Sequence, residues 1–141
     1  METSMGLQYG CHDGTPLLGD LYLPQGSGSH PVIVTVHGGG WQATSRDVYR
    51  YMAPHLTERG YAVFSIDYRL TRDGENCFPA AVQDARAAVQ WLRSKREDLP
   101  IDPARIALMG DSAGAHLAAM VGLAGAPMHT QMIPMLASAP L

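Results

Sequence analysis

Three short runs constrain this chain more than any other feature: "PVIVTV" (Pro31 to Val36), "YAVFSI" (Tyr61 to Ile66) and "IALM" (Ile106 to Met109). A strand with one face in water alternates apolar and polar residues. These runs are apolar on consecutive positions, as expected for strands covered on both faces. The segments between them carry a different period. From Val48, Tyr51, Met52, His55 and Leu56 recur at three and four residues, Thr44 or Ser45 can cap the start, and Gly60 can close the end, which predicts a helix. Phe78, Ala81, Val82, Ala85, Val89 and Leu92 fall on one helical stripe. Arg93, Lys95 and Arg96 follow in its last turn, where cations suit the helix dipole. Buried strands that alternate with amphipathic helices predict an α/β fold, a mostly parallel sheet with helices on both faces, connected by right-handed crossovers. Ahead of this unit, "YGCHDGTPLLGDLYLP" reads as a strand pair near a sheet edge, with turn signals at Asp13-Gly14 and Gly19-Asp20. "TRDGEN" is loop by composition, and "IDPAR" opens the last strand with an Asp-Pro turn. No internal repeat is present.

With 141 residues and a hydrophobic fraction of 46%, one domain with a substantial core is expected over residues 1–141. The formal net charge of −3 and scattered arginines give no basic face, so a nucleic-acid partner is not expected. Cys11 and Cys77 lack the spacing of a disulfide framework or a zinc site, and no metal or cofactor is expected. "METSMGLQYG" has an acid at position 2 and no apolar core, so no secretory signal is read and a cytoplasmic address is expected. From Ser112 to Leu141 there is no Asp, Glu, Lys or Arg. The helical part, about residues 113–123, is shorter than the ~20 apolar residues a bilayer needs. Residues 127–141 are expected as an irregular tail or an unfinished strand.

The chemistry concentrates in two places. "GDSAG", Gly110 to Gly114, fits G-x-S-x-G and lies between a predicted buried strand and a predicted helix, the setting that a nucleophile elbow requires. Glycine on both flanks lets strand and helix approach without a Cβ clash. Ser112 can then take a strained backbone conformation and project its hydroxyl outward, while the helix start offers free N–H groups to a developing negative charge. The second place is "HGGGW", His37 to Trp41, directly after the first buried strand. Three bare glycines leave backbone amides unobstructed, which suits the stabilisation of an oxyanion.

"HGGGW", "DYRL", "FPAAVQDARAAVQWL", "DPARIALMGDSAG" and "AHLAA" stand here in an order and spacing that resemble the α/β-hydrolase serine esterases with an H-G-G-G motif, the hormone-sensitive-lipase-like and bacterial carboxylesterases. The match runs from about residue 20 to 125. The resemblance implies a three-layer α/β-hydrolase fold and ester hydrolysis through an acyl-enzyme, on short acyl esters as the small-molecule substrate. It makes Ser112 the nucleophile and the amides of Gly39, Gly40 and Ala113 the oxyanion hole. Gly38 would shape the loop, and Trp41 would line the acyl side of the pocket. Simpler readings suit the other polar residues. Asp111 is read as a structural hydrogen-bond partner, Asp67 with Arg69 as an ion pair or loop anchor, His37 as a brace for the glycine loop, and His116 as a packed interior residue.

In this fold the triad runs Ser, then Asp or Glu, then His along the chain. No carboxylate follows Asp111, and only His116 and His129 lie downstream of Ser112. The chain is therefore expected to be the N-terminal part of an esterase, truncated after the nucleophile helix. Its last strand would then have an unpaired side that invites self-association. The alternative reading is a catalytically inactive remnant that serves as a binding or assembly module.

Overall fold

The computed structural model describes residues 1–124. Five strands form one sheet: β1 (Glu2–His12), β2 (Thr15–Leu23), β3 (His30–Val36), β4 (Ala62–Ile66) and β5 (Ile101–Gly110), in the order β1-β2-β4-β3-β5. β4, β3 and β5 run parallel, whereas β1 and β2 pair antiparallel with each other and β2 pairs antiparallel with β4. The sheet is thus mixed rather than mostly parallel over the described residues, because the opening hairpin contributes two of its strands. Among those residues β5 has a strand on one side only. The expected tail at 127–141 lies outside them.

The continuous apolar runs form strands buried on both faces, and alternation separates what each face touches. Ala62, Phe64 and Ile66 of β4, with Val32, Val34 and Val36 of β3, join α2 (Ala80–Ser94) and α3 (Ala113–Leu123) in the main core. Val63 points the other way and packs with Tyr22 of β2 against Ala53 of α1 (Ala53–Thr57). Helices therefore cover both faces. Aromatic contacts extend the main core to the hairpin: Phe64 stacks on Trp91 at 5.1 Å and meets Tyr9 edge-on at 6.0 Å.

Several local expectations need correction. The turn at Asp13-Gly14 forms, with both residues at positive φ, but Gly19 and Asp20 lie inside β2. The Phe64 ring occupies the side-chain space of Gly19, where a Cβ would come within 2.4 Å of it. Asp20, on the opposite face, is fully buried and held by Arg46 at 2.8 Å and by the Gly6 amide at 2.8 Å. The helix expected from Val48 is a 3₁₀ turn (Arg46–Tyr49), capped by the Ser45 side chain, followed by the short α1. Pro54 has no N–H to give to the preceding turn, so the two pieces do not fuse. Their buried positions are Tyr49, Ala53 and Thr57, while Tyr51, Met52 and His55 face outward. Phe78 precedes α2 and is 71% exposed. The Asp-Pro turn is absorbed into β5 as an irregularity: Ile101 pairs with His30 and Ile106 with Val32, and Asp102 accepts from the Ala104 amide and from Arg105. Arg93 does not meet solvent at the end of α2 but is buried.

Candidate active site

Parallel β3 and β5 are neighbours in register, with Val36 beside Gly110, so their carboxyl ends open side by side. The chain leaves β3 toward α1 on one face and leaves β5 into α3 on the other. Ligand sites in open α/β sheets form where adjacent strands send their connections to opposite faces. Both candidate motifs lie there: "HGGGW" begins after Val36, and "GDSAG" begins at Gly110.

Ser112 has φ 47° and ψ −118°, a left-handed conformation unfavourable for a residue with a side chain. The flanking glycines explain how it is held. A Cβ on Gly114 would lie 1.9 Å from the Val36 carbonyl oxygen, and one on Gly110 would lie 2.4 Å from the Gly114 backbone. β3, β5 and the start of α3 thus approach more closely than any other residue allows, and Ser112 must turn sharply between them. Its hydroxyl caps no helix amide. Asp111 accepts the amides of Gly114 at 2.8 Å and Ala115 at 3.2 Å through its backbone carbonyl. Its carboxylate reaches across to the glycine loop, where Oδ1 accepts the Gly38 amide at 3.1 Å and the Tyr49 hydroxyl at 2.8 Å.

Several braces shape the loop. Gly39 has φ +122°, a Cβ there would lie 2.3 Å from the Ala43 carbonyl oxygen, and its own carbonyl accepts the amides of Gln42 and Ala43 at 3.1 Å each. His37 is buried, with Nδ1 2.7 Å from the Gly38 carbonyl and 2.8 Å from Thr44 Oγ1. A carbonyl only accepts, so the short contact assigns the proton to Nδ1. The Thr44 hydroxyl donates to the same carbonyl at 2.6 Å. Tyr68 stacks on the His37 ring at 4.3 Å and donates to its carbonyl at 2.7 Å. Burial and the nearby Asp111 charge push the Tyr68 phenol up to about 12, so it remains a donor at neutral pH. The Tyr49 phenol is raised too, by burial, by its hydrogen bond to Asp111 and by the Asp111 charge. His37 is therefore a brace, as its position suggested. None of the amides of Gly39, Gly40 and Ala113 has a hydrogen-bond acceptor among the described residues.

The ionic contacts differ from the expected pairing. Asp67 does not pair with Arg69. It binds the Arg46 guanidinium and accepts the Arg46 amide at 2.8 Å, which fixes the 3₁₀ turn to the sheet. Arg69 instead grips buried Asp84 of α2 at 2.8 Å, and this contact raises its pKa. Beside the glycine loop lies a cleft of about 390 Å³ between Trp41, Phe78, Pro79, Val82, Leu117 and His116. His116 is not packed inside. It is exposed and meets Trp41 edge-on at 5.5 Å. Trp41 is 42% exposed and faces the cleft. The two neighbourhoods of Ser112 thus each touch the glycine loop, Asp111 through Gly38 and His116 through Trp41. Tyr49, Tyr68 and Asp84 were not singled out from sequence. Their partners are 62, 31 and 15 residues away, and no local pattern marks such pairs. Among the described residues no group of His, Cys, Asp or Glu could hold a metal ion. Cys11 and Cys77 are free and exposed.

Residues 19–136 match the family model BD-FAE. The chain belongs to this family, of the α/β-hydrolase type. Relatives of the chain include carboxylesterase NlhH of Mycobacterium tuberculosis, 36% identical over 109 residues, which cover 73% of this chain and 34% of the relative. Carboxylic ester hydrolase LipN of the same organism is 43% identical over 103 residues, 71% of this chain and 27% of LipN. Among solved structures, the esterase Est2 of Thermogutta terrifontis in its propionate-bound form superposes with a TM-score of 0.76 at 31% identity, covering 85% of this chain and 44% of Est2. The chain thus spans about a third of the length of NlhH, 27% of LipN and under half of that Est2 chain. NlhH and LipN are named for carboxylic ester hydrolysis, and Est2 is an esterase.

Proposed function

We propose that this chain carries the nucleophile and the oxyanion hole of a serine carboxylesterase. Ser112 Oγ attacks the ester carbonyl carbon and loses its proton to a base, and the carbonyl oxygen becomes an alkoxide that accepts hydrogen bonds from the amides of Gly39, Gly40 and Ala113. Collapse of this intermediate breaks the C–O bond, the alcohol leaves with a proton, and water then releases the acid from the acyl-enzyme. The base is proposed to come from outside the described residues, since His37 is committed to the glycine loop and His116 packs on Trp41. The observation that carries this reading is the left-handed conformation of Ser112, held by Gly110 and Gly114 against β3 and tied to the glycine loop through Asp111.

Short acyl esters are the proposed substrates. The cleft beside Trp41 is small and mainly apolar, and Est2, a related esterase, is known with propionate and with butyrate bound. The alternative of an inert assembly module is not favoured by carboxylesterase relatives.

The purified chain should release p-nitrophenol from p-nitrophenyl acetate and butyrate above the buffer rate. An oxyanion hole and binding alone retain roughly 10³- to 10⁴-fold over water even when a triad member is removed. Ser112→Ala should keep such a residual release but lose the covalent adduct that a fluorophosphonate forms with the wild-type chain, and equal labelling of the two chains contradicts the reading.

A further inference from the structure

We propose that Tyr49 is a positioning residue: its hydroxyl holds the Asp111 carboxylate so that one oxygen joins the serine turn to the glycine loop. The inference rests on the proposed ester chemistry only for its kinetic consequence, because the clamp itself is a matter of geometry. Tyr49 is 7% exposed, and its hydroxyl donates to Asp111 Oδ1 at 2.8 Å. The same oxygen accepts the Gly38 amide at 3.1 Å. The carboxylate also lies against Gly38 itself, where a Cβ would be 2.5 Å from Oδ2. Asp111 is bonded directly to Ser112, and Gly38 directly to Gly39, so one carboxylate sets the distance between the proposed nucleophile and the proposed donors.

The loop needs such an external hold. Gly38, Gly39 and Gly40 have no side chains to anchor them, and Gly39 and Gly40 both sit at positive φ. Arg46 fixes the far end of the loop through Asp20 and Asp67, and His37 fixes its start. Between these points the Gly38 amide is tied to the serine turn only through Asp111. A carboxylate with one donor can rotate about its Cβ–Cγ bond, whereas a second donor from the buried phenol fixes its plane. Tyr49 does not reach the reacting atoms, since its hydroxyl is spent on Asp111 and lies 3.4 Å from the Val36 carbonyl.

Tyr49→Phe removes the hydroxyl and keeps the ring, so it isolates the clamp from packing. In the full chain, exchange of the Gly38 amide with deuterium should accelerate at least about tenfold, while amides in the middle of α2 exchange as before. Phosphonylation of Ser112 by a fluorophosphonate should slow on the order of tenfold at saturation with an unchanged half-saturation concentration, because alignment and not binding is lost. Wild-type exchange at Gly38 in Tyr49→Phe overturns the proposal, as does a change confined to the half-saturation concentration. A wild-type chain that is never phosphonylated overturns the esterase reading instead, and the exchange rate still decides the clamp. Should Tyr49→Phe fail to fold, Asp111→Asn carries the test. It weakens the acceptor that the Tyr49 hydroxyl and the Gly38 amide share and should accelerate Gly38 exchange, and no shift there overturns the proposal.

Discussion

At the scale of single residues, the site rests on atoms that are absent. The approach of α3 to β3 leaves no space at Gly114 for a methyl group, and the atom in the way is the Val36 backbone oxygen, which cannot rotate aside. Gly114→Ala should therefore destabilise the chain by about 3 kcal/mol or more, read from the urea midpoint of far-UV circular dichroism. Unchanged stability would contradict this close approach of strand and helix. Ser112 presents the opposite case, a side chain in a conformation that favours glycine. Ser112→Gly should stabilise the chain by about 1 to 2 kcal/mol while abolishing reaction with fluorophosphonates. Such a gain in stability with loss of reactivity is expected where strain is stored at a functional position. Both motifs were legible in sequence because glycine spacing reports backbone demand directly. The clamp around them was not, because Tyr49 and Asp111 meet only after the sheet has formed.

At the scale of elements, legibility followed how many faces are buried. β3 and β4 are covered on both sides, and their runs of Val, Ile, Ala and Phe announced this. The segment 46–57 was misread by one face. Its buried positions, Tyr49, Ala53 and Thr57, do keep a helical spacing. Two of them are small, because a 3₁₀ turn and a short helix lie close to β2 and β4, and hydrophobicity alone picks out the larger outward residues. The α2 stripe was read correctly from Ala81 to Leu92, since a 15-residue helix on a sheet must keep one apolar face. Its last turn was not. Arg93 is buried, burial lowers its pKa, and among the described residues both terminal guanidinium nitrogens lack a hydrogen-bond partner, while Nε donates to the Pro103 carbonyl at 3.4 Å. Arg93→Met keeps the apolar stem and removes a buried charge that has no ion-pair partner among the described residues. It should raise stability by about 1 to 3 kcal/mol in urea titration. A loss of stability would show that the guanidinium finds a partner in solution.

At the scale of the whole molecule, three buried phenols tie the sheet to the site. Tyr9 donates to the Asp67 carbonyl, Tyr49 to Asp111 and Tyr68 to His37. Burial is the largest cause of the upward shift in each. The native state therefore holds these protons more tightly than the unfolded chain does. Their contribution is complete below the ordinary tyrosine pKa of about 10 and is lost as pH rises through the native values, about 12 for Tyr68. Urea stability should be flat with respect to these groups up to about pH 9 and should fall between about pH 10 and 12, in step with tyrosinate absorbance. A chain that ionises all its tyrosines near pH 10 without losing stability would contradict this burial. The strand order β1-β2-β4-β3-β5 has a second consequence. It sets the ends of β3 and β5 side by side with their connections on opposite faces, which brings together two motifs more than seventy residues apart.

The most direct test of the central claim is a crystal structure of the chain after reaction with a fluorophosphonate. Phosphorus should be bonded to Ser112 Oγ, with the phosphoryl oxygen within about 3 Å of the amides of Gly39, Gly40 and Ala113. An adduct on any other residue, or a phosphoryl oxygen turned away from the glycine loop, would contradict it.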